Sequence, residues 1–252
     1  MSRRDFSHAN NPAFACAPDV VLLPFGRRSC LPALVERFAG EAVALDETTD
    51  RLAYQLRGAA APVTLVYSGM GSPAAANALE MIAANGGRRV VVFGACGGTD
   101  PRVAVGDLIV VSGAVRGEGT SRYYAPLEYP AAFHPLLTAR LLEAATVGGT
   151  AAHLGVVYTT DAGYRQGPEV YEVYAGLAIA VESECAAAAV VGARIGLEIG
   201  ALLFVSDNTT APKDEDRLYG GLRNPTTKRA FEVGADAVLA ALTHARGRNS
   251  QF

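Results

Sequence analysis

Six short runs along this chain are apolar at almost every position: DVVLLP (19–24), PVTLVYS (62–68), RRVVVFGA (88–95), DLIVVSGAV (107–115), LGVVYTT (154–160) and ALLFVSD (201–207). A strand that is apolar on both faces must be covered on both faces, so these runs belong to a sheet sandwiched between helices. The expected fold class is α/β, a three-layer α/β/α sandwich with a central mixed β-sheet. The stretch 43–57 alternates more and reads as an edge hairpin. Four segments between the runs carry helical spacing: 72–87, 134–149, 182–196 and 226–247. The first is the clearest, with Ser72 as N-cap, Pro73 at the first helical position and a Gly86-Gly87 stop.

No tandem repeat or linker divides the 252 residues, which predicts a single domain over 1–252, with residues 1–18 as an N-terminal arm and 247–252 as a frayed tail. Twenty-two Lys plus Arg against 25 Asp plus Glu give a formal charge of -3. That balance makes no field that would hold a polyanion, so nucleic acid is not expected as a partner. Every apolar run is broken before the roughly 20 residues that a spanning helix needs, and no apolar stretch follows the basic start MSRRDFSHANNPAF. No membrane association and a cytoplasmic location are expected. Cysteines at 16, 30, 96 and 185 lack ligand spacing, so neither a metal site nor a disulfide framework is predicted.

Chemistry concentrates at strand ends. The strand 62–68 runs into Gly69-Met70-Gly71-Ser72-Pro73, where successive N–H groups and a helix start face one volume that suits an oxyanion. The next strand ends in Phe93-Gly94-Ala95-Cys96-Gly97-Gly98, read as a second glycine-rich turn open to ligand. Further polar groups stand at Arg116 and Glu118, which either pair or face a ligand, at Tyr158–Arg165, at Glu182–Glu184 and at Ser206–Asn208. His134, His153 and His244 have no evident partner.

The order and spacing of GMGSP, GACGG with VGDLIVVSGAVRGEGTS, TTDAGYR, AVESE and FVSDN resemble the nucleoside phosphorylase family, over roughly residues 19–245. That family takes in purine nucleoside phosphorylase of the hexameric type, uridine phosphorylase and related nucleosidases. The resemblance implies cleavage of a nucleoside to free base and pentose 1-phosphate, with phosphate as co-substrate and no metal or other cofactor. It places Glu184 on the sugar hydroxyls, Glu182 beside it, and Ser183 where the family usually has methionine. Asp207 would protonate the departing base at N7, with Ser206 orienting it; such an acid needs a raised pKa, which burial supplies. Tyr164 would stack on the base. His8 would reach the 5′ hydroxyl in a neighbouring subunit of a homodimer or a hexamer built as a trimer of dimers.

Uridine readers of the family carry glutamine and arginine where this chain has Pro168 and Val170, which favours a purine. The phosphate contacts expected are Gly26, Arg27, Arg28, Gly71 and Ala95, with Arg51 or Arg57 available from a neighbour. Val92 and Ala95 replace an arginine and a serine or threonine of the family's phosphorylases. A nucleosidase that uses water is therefore the alternative, and a non-catalytic nucleoside-binding protein a further one.

Overall fold

The computed structural model describes residues 15–24, 42–46, 52–56, 61–165, 172, 174, 176–211 and 221–243. His8, Gly26, Arg27, Arg28, Arg51, Arg57, Pro168, Val170, His244 and the expected frayed tail 247–252 lie outside these residues, as does most of the N-terminal arm. Ten described strands make one mixed sheet: β1 (Asp19–Leu23), β2 (Ala42–Asp46), β3 (Leu52–Leu56), β4 (Val63–Tyr67), β5 (Arg89–Gly98), β6 (Leu108–Gly117), β7 (Ala131–Ala132), β8 (Ala152–Thr160), β9 (Ala180–Glu182) and β10 (Glu198–Asn208). Four helices among the described residues cover it: α1 (Ser72–Ala84), α2 (Pro135–Val147), α3 (Cys185–Ile195) and α4 (Pro225–Thr243).

The period of two along each apolar strand sorts its side chains into two cores. Val20 and Leu22 of β1, Val90 and Val92 of β5, and Leu203 and Val205 of β10 pack with α1 and α3. Val21, Leu23, Val91, Phe93, Leu202 and Phe204 pack with α2 and α4 on the other face. This is the three-layer sandwich that the sequence predicts. Each fully buried Val, Leu, Ile or Phe contributes roughly 1.5–3 kcal/mol. At the foot of the sheet, Arg89 reaches Asp19 on the neighbouring strand with bonds of 2.5 and 2.7 Å, and it also donates to the carbonyl of Leu242 near the end of α4. The edge hairpin is present as β2 and β3, paired antiparallel.

Five strands close a ring. β10 pairs with β5 and also with β6, β6 with β8, β8 with β9, and β9 with β5. Three local expectations change. The glycines at 94–98 do not turn: β5 runs straight through Gly98, because β10 and β9 both hydrogen-bond to its last residues. The segment at 182 does not begin a helix. Ala180–Glu182 is drawn into the sheet as β9, and α3 starts at Cys185 with Glu184 as N-cap. At α1 the N-cap is Gly71, with φ of 101°, rather than Ser72. Ser72 takes the first helical position and its hydroxyl donates instead to the carbonyl of Ser183 at 2.7 Å.

Candidate active site

A row of residues crosses three adjacent strands, Asp207 on β10, Gly97 on β5 and Val181 on β9. With strands about 4.8 Å apart, the outer two backbones lie about 10 Å from each other. Asp207 follows a register shift in β10 between Val205 and Asp207, which re-aims the end of the strand. A Cβ at Gly97 would stand 3.2 Å from Asp207 Oδ2 and 3.4 Å from the Val181 side chain. Glycine there leaves the carboxyl its room.

Burial pushes the Asp207 pKa above the ordinary carboxylate value, and a hydrogen bond from Ser206 works against that rise. Ser206 Oγ lies 2.7 Å from Asp207 Oδ1 and 3.1 Å from the carbonyl of Cys96. Its single proton serves one acceptor at a time. When Asp207 is ionised the hydroxyl donates to it; when Asp207 is protonated the hydroxyl turns to Cys96 and accepts from the acid. Ser206 thus fits both protonation states, as an orienting group for a proton donor must.

A pair of carboxyls surrounds the start of α3. Glu182 is buried at the end of β9; its Oε2 accepts from the N–H groups of Glu184 and Cys185, both at 2.6 Å, and its Oε1 accepts from the hydroxyl of Thr159. Glu184, 5% exposed, accepts from the N–H of Gly71 at 2.5 Å. Burial and then the neighbouring Glu182 charge push the Glu184 pKa up to about 8. Burial also raises Glu182, which the Thr159 hydroxyl and the two backbone N–H groups partly counter. Burial, and then the charges of Asp207 and Glu182, push the Cys96 thiol pKa up, and the thiol itself donates to the carbonyl of Phe204.

The structure groups Glu182, Ser183, Glu184 and Gly71 around the start of α3, and Ser206 with Asp207 near the end of β10, with the end of β5 between the two groups. It does not bring Tyr164 to them. Tyr164 sits fully exposed in a turn at Gly163–Arg165, with no ring partner among the described residues. The anion expected at Gly71 has a rival, since that N–H is already held by Glu184. Ala95 offers no polar side chain and packs against the α2/α4 core, while Val92 is wholly buried on the opposite face. Arg116 and Glu118 find different partners. Arg116 donates to Ser121 and to the carbonyls of Ala125, Pro126, Leu127 and Tyr129, and Glu118 accepts from the N–H groups of Thr120 and Ser121. His153 pairs with Asp107 at 2.8 Å.

Two groups escape sequence reasoning. Thr159 is named only as part of the polar stretch Tyr158–Arg165, and only the register Thr159 to Glu182 reveals its partner. Gly97 reads as part of a turn, whereas its service is clearance for Asp207. A surface cavity of about 500 Å³ between α1 and the segment 119–124 contains no carboxyl in its lining, which includes Asn77, Arg122 and Tyr123. Among the described residues no three His, Cys, Asp or Glu side chains are grouped to hold a metal ion, and no helix is long and apolar enough to cross a membrane.

A profile of the family described as "Phosphorylase superfamily" matches residues 38–242. The chain belongs to the phosphorylase superfamily. Among its superfamily relatives, a uridine phosphorylase of Treponema pallidum is 32% identical over 197 residues, covering 72% of this chain and 74% of that protein. A guanosine phosphorylase of Halorubrum lacusprofundi is 31% identical over 184 residues, covering 71% and 76%. Other uridine phosphorylases align over a shorter stretch, in which the chain spans 37% and 45% of their length. The solved structure of an AMP nucleosidase from Bacteroides thetaiotaomicron superposes with a TM-score of 0.69 at 26% identity, over 88% of each chain.

For this superfamily member, Gly97→Ala is expected to lower kcat about tenfold with little change in melting temperature. A 1 Å misplacement costs on the order of 10²-fold, and the methyl displaces the Asp207 carboxyl by only a few tenths of an ångström. Steady-state kinetics beside a thermal melt check this, and unaltered kcat would show that the carboxyl is not confined by Gly97.

Proposed function

We propose that this protein cleaves the N-glycosidic bond of a nucleoside, with Asp207 protonating the departing base and Glu184 gripping the sugar hydroxyls. The observation that carries this reading is the half-buried Asp207 carboxyl, its pKa raised, packed against Gly97 of β5, the strand that lies between β10 and the β9 end bearing Glu182. Cleavage breaks the C1′–N bond while positive charge develops on the sugar. A nearby carboxylate stabilises that charge, and a proton on the base makes it a better leaving group.

Phosphate is the nucleophile in this reading: one of its oxygens bonds to C1′, the base leaves with the proton from Asp207, and a pentose 1-phosphate results. Arg27 and Arg28 are the residues assigned to hold the anion, as planar forks suited to phosphate. A purine is the expected base, supported by the guanosine phosphorylase among the relatives and by Pro168 and Val170 at positions where uridine readers carry polar groups. A dimer-based assembly and a cytoplasmic location belong to the same reading.

Specific observations favour hydrolysis as the second reading. Glu184 holds the Gly71 N–H, neither Val92 nor Ala95 offers a polar side chain, and the AMP nucleosidase is a structural neighbour. One assay separates these readings. Guanosine, inosine, adenosine and uridine are incubated with the protein in phosphate-free buffer and again with millimolar phosphate, and free base and sugar phosphate are quantified. Purine release that rises at least tenfold with phosphate, with equimolar pentose 1-phosphate, is the expected result. Equal release without phosphate assigns water as nucleophile. Preferential uridine release rejects the purine assignment. Tight nucleoside binding without any release identifies a binding protein.

A further inference from the structure

We propose that Thr159 is a positioning residue, whose hydroxyl holds the Glu182 carboxylate across the start of α3 and so sets where Glu184 meets the sugar. This rests on the reading of Glu184 as the group that grips the sugar. Thr159 lies on β8, wholly buried and in parallel register with Glu182 on β9. Its hydroxyl proton goes to Glu182 Oε1, and its oxygen accepts from the N–H of Ala186 at 2.9 Å. The other oxygen of Glu182 takes the N–H groups of Glu184 and Cys185. From the opposite side, α1 contributes the Ser72 hydroxyl to the Ser183 carbonyl and the Gly71 N–H to Glu184 itself.

Every residue from 182 to 186 is therefore tied, and three of the ties pass through the Thr159–Glu182 contact. Both oxygens of Glu182 are engaged by the protein, so its work is mechanical: it converts the position of β8 into the position of Glu184. Without the hydroxyl, Glu182 Oε1 loses the donor that Thr159 supplies. The carboxyl then takes up a proton or turns away, and either change disturbs the two N–H bonds that anchor residue 184. Threonine suits the place doubly, because its branched Cβ favours a strand while its hydroxyl both donates and accepts.

The test uses the full chain and two substrates with the same purine, a riboside and a 2′,3′-dideoxyriboside. The ratio of their kcat/KM values measures what recognition of the sugar hydroxyls contributes to the transition state. Thr159→Val, matched in shape, is expected to lower that ratio at least about fivefold, chiefly through kcat on the riboside, while Thr159→Ser restores it to within about twofold of wild type. A role confined to stability lowers both substrates in proportion, and an unchanged ratio in Thr159→Val overturns the proposal. Should Thr159→Val fail to fold, Glu182→Gln keeps the shape but puts an NH2 donor where an oxygen now accepts, so that the bond from Thr159 or the two from the backbone N–H groups are lost; the ratio is expected to fall in it too, and an unchanged ratio there is equally fatal. The wild type reports on the underlying reading before any variant is made. Absence of base release removes the proposed activity, and a wild-type ratio near one removes Glu184 from the sugar; either overturns the role of Thr159 with it.

Discussion

Asp207→Asn is expected to lower kcat for purine nucleosides by about 10²- to 10³-fold while changing KM less than about threefold, because general acid catalysis contributes roughly 10²- to 10⁴-fold. The amide keeps the shape and an acceptor for Ser206 but has no acidic proton for the base. Burial raises the Asp207 pKa, so in the wild type activity declines as pH rises through that raised value and the proton is lost. In Asp207→Asn this alkaline limb disappears. A substrate whose base leaves without protonation, such as a nitrophenyl riboside, is expected to be cleaved by the variant within a few-fold of the wild-type rate. Loss of both activities alike would mean that the residue shapes the site rather than supplying the proton.

Glu184→Gln is expected to reduce kcat/KM for ribosides by about 10²-fold, the usual scale for removing one preorganised hydrogen-bonding group from a transition state. Retained kinetics would leave a purely structural carboxyl. The same variant has a second, independent signature in stability. The Glu184 pKa rises from 4.5 to about 8 on folding, first by burial and then by the Glu182 charge. The folded protein therefore keeps a proton that the unfolded chain releases, and its contribution is complete below about pH 4.5 and lost as pH climbs through about 8. Melting temperature is expected to fall across that interval in the wild type and to fall less steeply in Glu184→Gln, where the amide still accepts from Gly71 N–H without titrating. Parallel melting curves for the two proteins from pH 5 to 9 would show that Glu184 does not carry this proton.

These expectations rest on side chains that the sequence could name but not connect. Asp207 and Glu184 were both named because five segments in order resemble one family. The glycines at 97 and 98 misled for a physical reason. Glycine is permissive of turns, but it is equally what a strand uses where another group must come close, and backbone pairing on both sides decided in favour of the strand. Likewise an acidic start and an alanine-rich run read as a helix from Glu182, until the empty place between β5 and β8 claimed Ala180–Glu182 as β9. Tyr164 was chosen by counting along the chain, yet it stands in solvent in the described structure.

What the sequence determined by itself was the layered architecture, since strands apolar on both faces admit few other arrangements and their period of two already sorts the cores. Only the tertiary structure decided the site's wiring. The Gly71 N–H meets a carboxylate 113 residues away, and Thr159 meets Glu182 across a strand pair. Neither contact leaves a periodic trace along the chain, because hydrogen bonds of this kind depend on where distant segments come to rest.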